Sequence, residues 1–270
     1  MLTIKNYVKA SSLQEAYDLN QKKSNRVMGG MMWLRMGKAN VDTIIDLSDL
    51  GLDKIEETDE EFSIGAMVTL RQLEKHEGLN AYSDNAICKA VKDIVGVQFR
   101  NSATVGGSIY GRFGFSDVLT VFLAMDTYVE LFNAGIVPLK DYAKMNYDRD
   151  ILVRVIVKKK AADFAYMAMR AQSTDFPVLT CAVSNVDGIY RASIGARPGR
   201  AVLVCDETGI LANGLNDESI ETFSTYVAKN ISTASNIRGS EKYRKHLCGI
   251  LTMRALAEIM NKNNEDKEER

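Results

Sequence analysis

Short apolar runs alternate with amphipathic stretches along most of the chain, which reads as mixed strand and helix. Ser12-Leu13-Gln14-Glu15 has the spacing of a capping box, and Leu13, Ala16, Tyr17 and Leu19 then fall roughly on one helical face. Short strands are predicted at 26–28 and 43–47. The acidic stretch 56–61 reads as a solvated hairpin or junction before a strand at 62–64. Thr69-Leu70-Arg71-Gln72 is a second capping box, opening a helix that stops near Gly78. Asp84 is placed to cap a third helix, where Ala86, Ile87, Ala90, Val91, Ile94 and Val95 recur at three- and four-residue steps, with Gly96 as its stop. Asp117 opens an apolar helix over 118–125. A strand at 128–132 turns at Asn133-Ala134-Gly135, and the run 151–157 is apolar enough for burial on both faces.

Beyond residue 160 the period shortens to that of strands, at 164–171, 178–186 and 189–196. Asp187-Gly188 joins the last two as a type I′ hairpin. Helices follow, one capped by Asp217 and running to about Lys229, the other over 240–260 with Tyr243, Leu247, Ile250, Leu251, Leu256 and Ile259 inward. The fold class is therefore α+β. Residues 1–55 form a first α/β lobe and 56–160 a second. Residues 161–262 form an antiparallel sheet with a helical C-terminal bundle, and 263–270 a frayed polar tail.

Composition narrows the function classes. The 270 residues are 46% hydrophobic and 26% charged, ordinary globular values. A net charge of −1 gives no electrostatic case for nucleic acid or an anionic membrane. No apolar run approaches the ~20 residues of a membrane span, and the N-terminus lacks a signal-peptide core, so a cytoplasmic protein is expected. Cys88, Cys181, Cys205 and Cys248 are scattered, which reads as free thiols rather than an iron–sulfur site. His76 and His246 have no partner at metal-ligand spacing.

Candidate chemistry sits in two glycine stretches. Residues 98–117, QFRNSATVGGSIYGRFGFSD, interleave Gly106, Gly107, Gly111 and Gly114 with hydroxyls from Ser102, Thr104, Ser108 and Ser116. Residues 27–35, VMGGMMWLR, carry Gly29-Gly30 at the end of a predicted strand. Exposed backbone N–H groups in such loops make an anion-binding concavity, and two loops can clamp one diphosphate from both sides. Neither stretch has the GxGxxG or GxxxxGK[ST] spacing.

With these residues the chain resembles the FAD-binding (medium) subunit of the molybdenum hydroxylases, the family of xanthine dehydrogenase and the aerobic carbon monoxide dehydrogenase. The family's AGGT-like loop is matched by Met28-Gly29-Gly30-Met31, and its QIRNxATxGGNI…SD segment by residues 98–109 and Ser116-Asp117. The resemblance implies two α/β lobes holding FAD, followed by an antiparallel sheet packed on helices. In the first loop it implies contacts from Val27, Met28, Gly29, Gly30, Met31 and Met32, with Trp33 either a shield or a core residue. In the second it implies Ala103, the Thr104 hydroxyl, the N–H groups of Gly106 and Gly107, Ser108 and Ser116. Asp117 either accepts from ribose or adenine or caps its helix, and Arg100 either pairs with phosphate or supports the loop. Ile151 and Phe164 are implied to pack near the flavin. Met31-Met32 lack the hydroxyl and carboxylate of the family's Thr-Asp, and the stretch 136–150 departs from the family's longer loop.

Flavin would supply the redox chemistry, so no acid–base dyad is required. The family function is a relay. A molybdopterin-binding subunit oxidises substrate, a [2Fe-2S] subunit carries electrons, and FAD delivers them to NAD or another acceptor. Both metal centres are expected on partner subunits. The alternative is a non-catalytic scaffold of the same fold that has lost FAD, motivated by Met31-Met32 and the Gly114 region. A stand-alone flavoprotein reductase is disfavoured because no nicotinamide-binding motif is present.

Overall fold

The computed structural model describes residues 1–268, which divide into two compact units. Unit 1 comprises residues 1–73, 96–111 and 127–158; unit 2 comprises 74–95, 112–126 and 159–270. No helix among the described residues is long and apolar enough to cross a membrane.

Unit 1 contains two sheets. Strands β1 (Thr3–Lys9), β2 (Arg26–Met28) and β3 (Asn40–Asp46) form a parallel sheet in the order β1-β3-β2. The helix Leu13–Asn20 connects β1 to β2, and the Ser12 hydroxyl accepts the Glu15 N–H at its start, as the capping spacing predicts. Strands β4 (Ile55–Glu57), β5 (Glu61–Gly65), β6 (Thr127–Leu131), β7 (Gly135–Pro138) and β8 (Leu152–Lys158) form a second sheet, ordered β4-β5-β8-β6-β7 and antiparallel throughout. The acidic stretch is the turn of the β4–β5 hairpin. β8 is central and buried except at Arg154 and Lys158, which are half-buried. Ala16, Ile45, Leu47, Leu52, Ile151 and Val153 share one apolar cluster.

Unit 2 is built on the antiparallel sheet of β9 (Ala162–Met169), β10 (Leu179–Val186), β11 (Ile189–Gly195) and β12 (Val202–Cys205), in the order β12-β11-β10-β9. The I′ turn forms at Asp187 and Gly188, with φ of 51° and 80°. The helix Asp117–Ala124 is buried along all eight residues, six of them apolar. It packs closely on the sheet. Thr120 and Thr180 share a hydroxyl hydrogen bond at 3.0 Å, and a Cβ on Gly195 would lie 2.1 Å from the Thr120 Oγ1. The helices Asp217–Asn230 and Glu241–Glu268 contribute Phe223, Val227, Leu247, Leu251 and Leu256 to the unit's main cluster.

Several boundaries differ from the sequence reading, each for a local reason. The helix opened by Thr69 ends at Lys75, and His76 caps a new helix, Glu77–Tyr82, by accepting the Leu79 N–H on Nδ1; Gly78 lies inside it. Asp84 does not cap. It sits at φ 51°, accepts the Phe164 N–H and pairs with Lys262, while the Ser83 hydroxyl accepts the Ile87 N–H. The helix Ala86–Val91 ends with Lys92 as its cap, short of Ile94, Val95 and Gly96; Gly96 stands instead at the start of the short helix Val97–Arg100. Asn216, not Asp217, caps its helix through a reciprocal pair with Ser219. The last helix continues past Met260 to Glu268, because the polar stretch holds no glycine or proline to end it; residues 269–270 of the expected tail lie outside the described residues. β1, β7 and β12 were not legible in the apolar pattern.

Gly195→Ala is expected to destabilise the protein by about 1–3 kcal/mol, since the methyl must displace two buried hydroxyls. Urea denaturation measures this, and wild-type stability would show that the helix can shift away.

Candidate functional site

β2 delivers Val27 and Met28 in register with Ile45 and Asp46, and the chain then turns through Gly29-Gly30. The turn touches the second glycine stretch within unit 1. A Cβ on Gly30 would lie 1.8 Å from the Ser102 carbonyl oxygen, and one on Gly29 would lie 2.8 Å from the Thr104 Oγ1. Only glycine permits that approach. Gly106 is required in the same way against Ala66, whose carbonyl oxygen would stand 2.6 Å from an added Cβ. The two stretches singled out in the sequence are therefore packed on one another.

Their donors differ. Among the described residues, the N–H groups of Gly29, Gly30, Met31 and Met32 donate no hydrogen bond, and all four residues are half-buried. Met31 is left-handed at φ 60°. In the second loop the N–H groups are engaged inside the protein: Gly106 donates to the Ala66 oxygen at 2.9 Å and Gly107 to the Thr104 Oγ1 at 3.1 Å. Ser108 donates both its N–H and its hydroxyl to the Thr104 oxygen. The Thr104 hydroxyl accepts from Gly107 and keeps its own proton to donate. The free donors thus come from the first loop and Thr104, fewer than the resemblance implied for the second loop.

The other unit 1 residues frame these loops. Ala103 and Arg100 are buried, which fits Arg100 as a support of the loop. Trp33 is 38% exposed and so is not a core residue. Ile151 is buried in the apolar cluster of unit 1 and donates its N–H to the Asp150 carboxylate.

Unit 2 holds the remaining three. Ser116 caps the helix Asp117–Ala124 by accepting the Leu119 N–H, so Asp117 is not the cap. The Asp117 Oδ1 accepts from the Tyr166 hydroxyl and from Arg170 Nη2, each at 2.5 Å. Arg170 also donates to the Asp175 carbonyl at 2.6 Å. Burial pushes the Asp117 carboxyl up to about 6 against the opposing pull of Arg170 and Tyr166. Burial, reinforced by Asp117, also pushes the Tyr166 hydroxyl well above its ordinary range. Phe164 is buried beside Tyr82, with ring centroids 5.4 Å apart. Tyr166 and Arg170 escaped the sequence reading because their partner lies about fifty residues away, outside any local spacing rule.

Comparison with known proteins covers nearly the whole chain. Residues 2–159 match the family model for the FAD binding domain in molybdopterin dehydrogenase, and residues 164–259 match that for the CO dehydrogenase flavoprotein C-terminal domain. The chain belongs to the FAD-binding subunits of the molybdenum hydroxylases. As a family member it is an oxidoreductase component. It is 26% identical to the glyceraldehyde dehydrogenase medium chain of Sulfolobus acidocaldarius, over 94% of this chain and 97% of that one. It is 25% identical to the xanthine dehydrogenase FAD-binding subunit of Escherichia coli O157:H7, over 96% and 97%. A carbon monoxide dehydrogenase from Hydrogenophaga pseudoflava shares the fold, with a TM-score of 0.85 and 21% identity over 97% of this chain and 99% of that one.

Because the Asp117 carboxyl is raised from 3.8 to about 6, its neutral form stabilises the fold fully below about pH 4, and that contribution fades as pH rises through about 6. The stability of wild type relative to Asp117→Asn should therefore shrink by ~2–3 kcal/mol between about pH 4 and 7. Urea denaturation across that range measures it; parallel profiles for the two proteins would show that burial does not control this carboxyl.

Proposed function

We propose that this chain carries FAD in a multi-subunit molybdenum hydroxylase, taking electrons from a [2Fe-2S] partner and passing them to NAD or another acceptor. The observation that carries the reading is the run of four N–H groups at residues 29–32 with no acceptor among the described residues, packed against the Thr104 loop. Half-buried donors of this kind call for an anion, and a diphosphate offers enough oxygens to satisfy them together with the Thr104 hydroxyl. The residues present fit the group.

Flavin, when bound, supplies two-electron redox chemistry that also proceeds in single steps. The protein binds and orients it. The first-loop N–H groups and Thr104 hold the diphosphate, with Val27, Met28 and Ala103 fixing the backbone around them. Gly106, Gly107 and Ser108 set the path of the second loop, and Trp33 limits solvent at the first. For Ser116, Asp117, Ile151 and Phe164 a flavin contact rests on the family resemblance alone. The names of the relatives, a medium chain and an FAD-binding subunit, support assembly with an iron–sulfur subunit and a molybdopterin-binding subunit. A cytoplasmic location fits such a complex. The flavin-free scaffold is not favoured, because a chain that had lost the cofactor would have no use for four unsatisfied donors.

The purified chain is expected to bind FAD far more tightly than FMN, which lacks the diphosphate; comparable affinities in a fluorescence titration would remove the loops from the flavin site. A Cβ on Gly107 meets only the Thr104 Oγ1, at 3.1 Å. Gly107→Val should therefore melt like wild type yet purify without flavin, and full flavin content would refute the assignment.

A further inference from the structure

Within unit 1, residues 147–150 tie the approach to the first glycine loop to the end of the second. The first tie is at the helix Leu13–Asn20, which has no basic residue in its last turn to meet its open carbonyls. Arg149 supplies the cation from far along the chain. Its Nε donates to the Asn20 oxygen, and its Nη2 donates to the oxygens of Lys22 and Asn25 at 2.8 and 3.0 Å. In return, the Asn20 and Gln21 side-chain amides donate to the Arg149 carbonyl at 2.8 and 3.1 Å. Arg149 pairs with no carboxylate among the described residues, so its donors serve this turn alone. β2 starts at the next residue, Arg26, and pairs with β3 over three residues before the chain enters Gly29-Gly30.

The second tie is at the last two residues of the helix Val105–Gly111. The Tyr147 hydroxyl donates to the Gly111 carbonyl, the Tyr110 hydroxyl donates to the Asp148 carbonyl at 2.9 Å, and the two rings stand 5.9 Å apart. The segment has its own footing. At the turn between β6 and β7 the Asp150 carboxylate accepts the N–H groups of Asn133 and Ala134, each at 2.9 Å. Little is buried by these ties, since Tyr147 is 56% exposed and Arg149 half-buried. What they do hold is the chain beside the donors. The N–H groups of residues 29–32 make no hydrogen bond among the described residues, so their placement depends on how the chain on either side is fixed.

We propose that Arg149 and Tyr147 are positioning residues for the flavin diphosphate, acting through the two glycine stretches and touching no part of the ligand. By tying residues 20–25 and 110–111 to one anchored segment, they set the first-loop N–H groups against the Thr104 hydroxyl before the diphosphate arrives. Ordering done in advance removes that cost from binding. The inference rests on the flavin reading above. Its test is a fluorescence titration of the full-length chain, freed of flavin, with FAD. Arg149→Met and Tyr147→Phe should each bind FAD roughly fivefold more weakly, while the apo forms melt close to wild type. The double variant should bind no more weakly than the worse single one, because one broken end already releases the segment. Arg149→Lys keeps the charge at the helix end but not the fork across two carbonyls, and should fall between Arg149→Met and wild type. Unchanged FAD affinity in both single variants overturns the proposal, whatever happens to melting. A loss of affinity matched by an equal loss of apo-protein stability in Tyr147→Phe, which removes a single hydroxyl, also overturns it. So do effects that multiply in the double variant, because the segment would then not act as one tie. These outcomes leave the flavin reading intact, since wild type binds; a wild-type chain that binds no FAD overturns that reading and this inference together.

Discussion

The approach of the Gly30 backbone to the Ser102 carbonyl is the constraint on which the candidate site depends. No side chain fits between them, since a single added carbon would stand 1.8 Å from that oxygen. The contact fixes where β2 ends relative to the second glycine loop, and Gly106 against Ala66 fixes that loop relative to β5. Two separated stretches of sequence thereby become one surface. The N–H groups of the loop that carries the first glycine pair then donate to no acceptor among the described residues, while those of the second loop are absorbed in holding the contact together. The division of labour follows from geometry: one loop supports, the other offers donors.

Unit 2 depends on a different kind of constraint. Its helix Asp117–Ala124 is buried along its whole length and apolar apart from Asp117 and Thr120, so something must fix its rotation and depth. Two polar devices do so. At its start, Asp117 is bonded to Tyr166 on β9 and Arg170 just beyond it. One turn later, Thr120 meets Thr180 over Gly195. A buried ion pair adds little net stability, because desolvation offsets most of the attraction, but breaking it leaves an uncompensated charge. The raised Asp117 carboxyl expresses that balance: burial outweighs its two partners. The pair specifies one arrangement of the helix among many apolar ones.

Much of this was legible in the sequence. The glycine stretches, the I′ turn at Asp187-Gly188, the burial of 151–157 and the capping role of Ser12 are local properties of residue type and spacing, and they form as read. The failures were also local in origin. Asp84, Asp117 and Asp217 are all good capping residues, yet each stands beside a Ser or Asn better placed to cap. Two of these carboxylates were drawn instead into long-range bonds, to Phe164 and Lys262 or to Tyr166 and Arg170. The β1 strand escaped notice because it is a solvated edge with almost no buried residue, so apolar periodicity had nothing to register. In the site, the resemblance pointed to the N–H groups of residues 29–32 and to the Thr104 hydroxyl, but not to the engagement of the Gly106 and Gly107 N–H groups, which partners within the fold decide.

The Met31-Met32 pair can be weighed on the same footing. Relative to a Thr-Asp pair it gives up a hydroxyl and a carboxylate, and with them any side-chain bond to phosphate or ribose. It does not change the backbone donors, which lie in the Gly29-Gly30 turn and around the left-handed Met31. A non-glycine residue at positive φ is uncommon and is kept only where the surroundings over-determine it. A left-handed residue in a turn is part of the backbone pattern from which anion-binding nests are made. A neutral hydrogen bond adds about 0.5–1.5 kcal/mol, so the missing hydroxyl costs roughly tenfold in affinity at most, whereas the four backbone donors remain. The substitution therefore trims the cradle without dismantling it, and the conformation of Met31, more than its side chain, is what the loop requires.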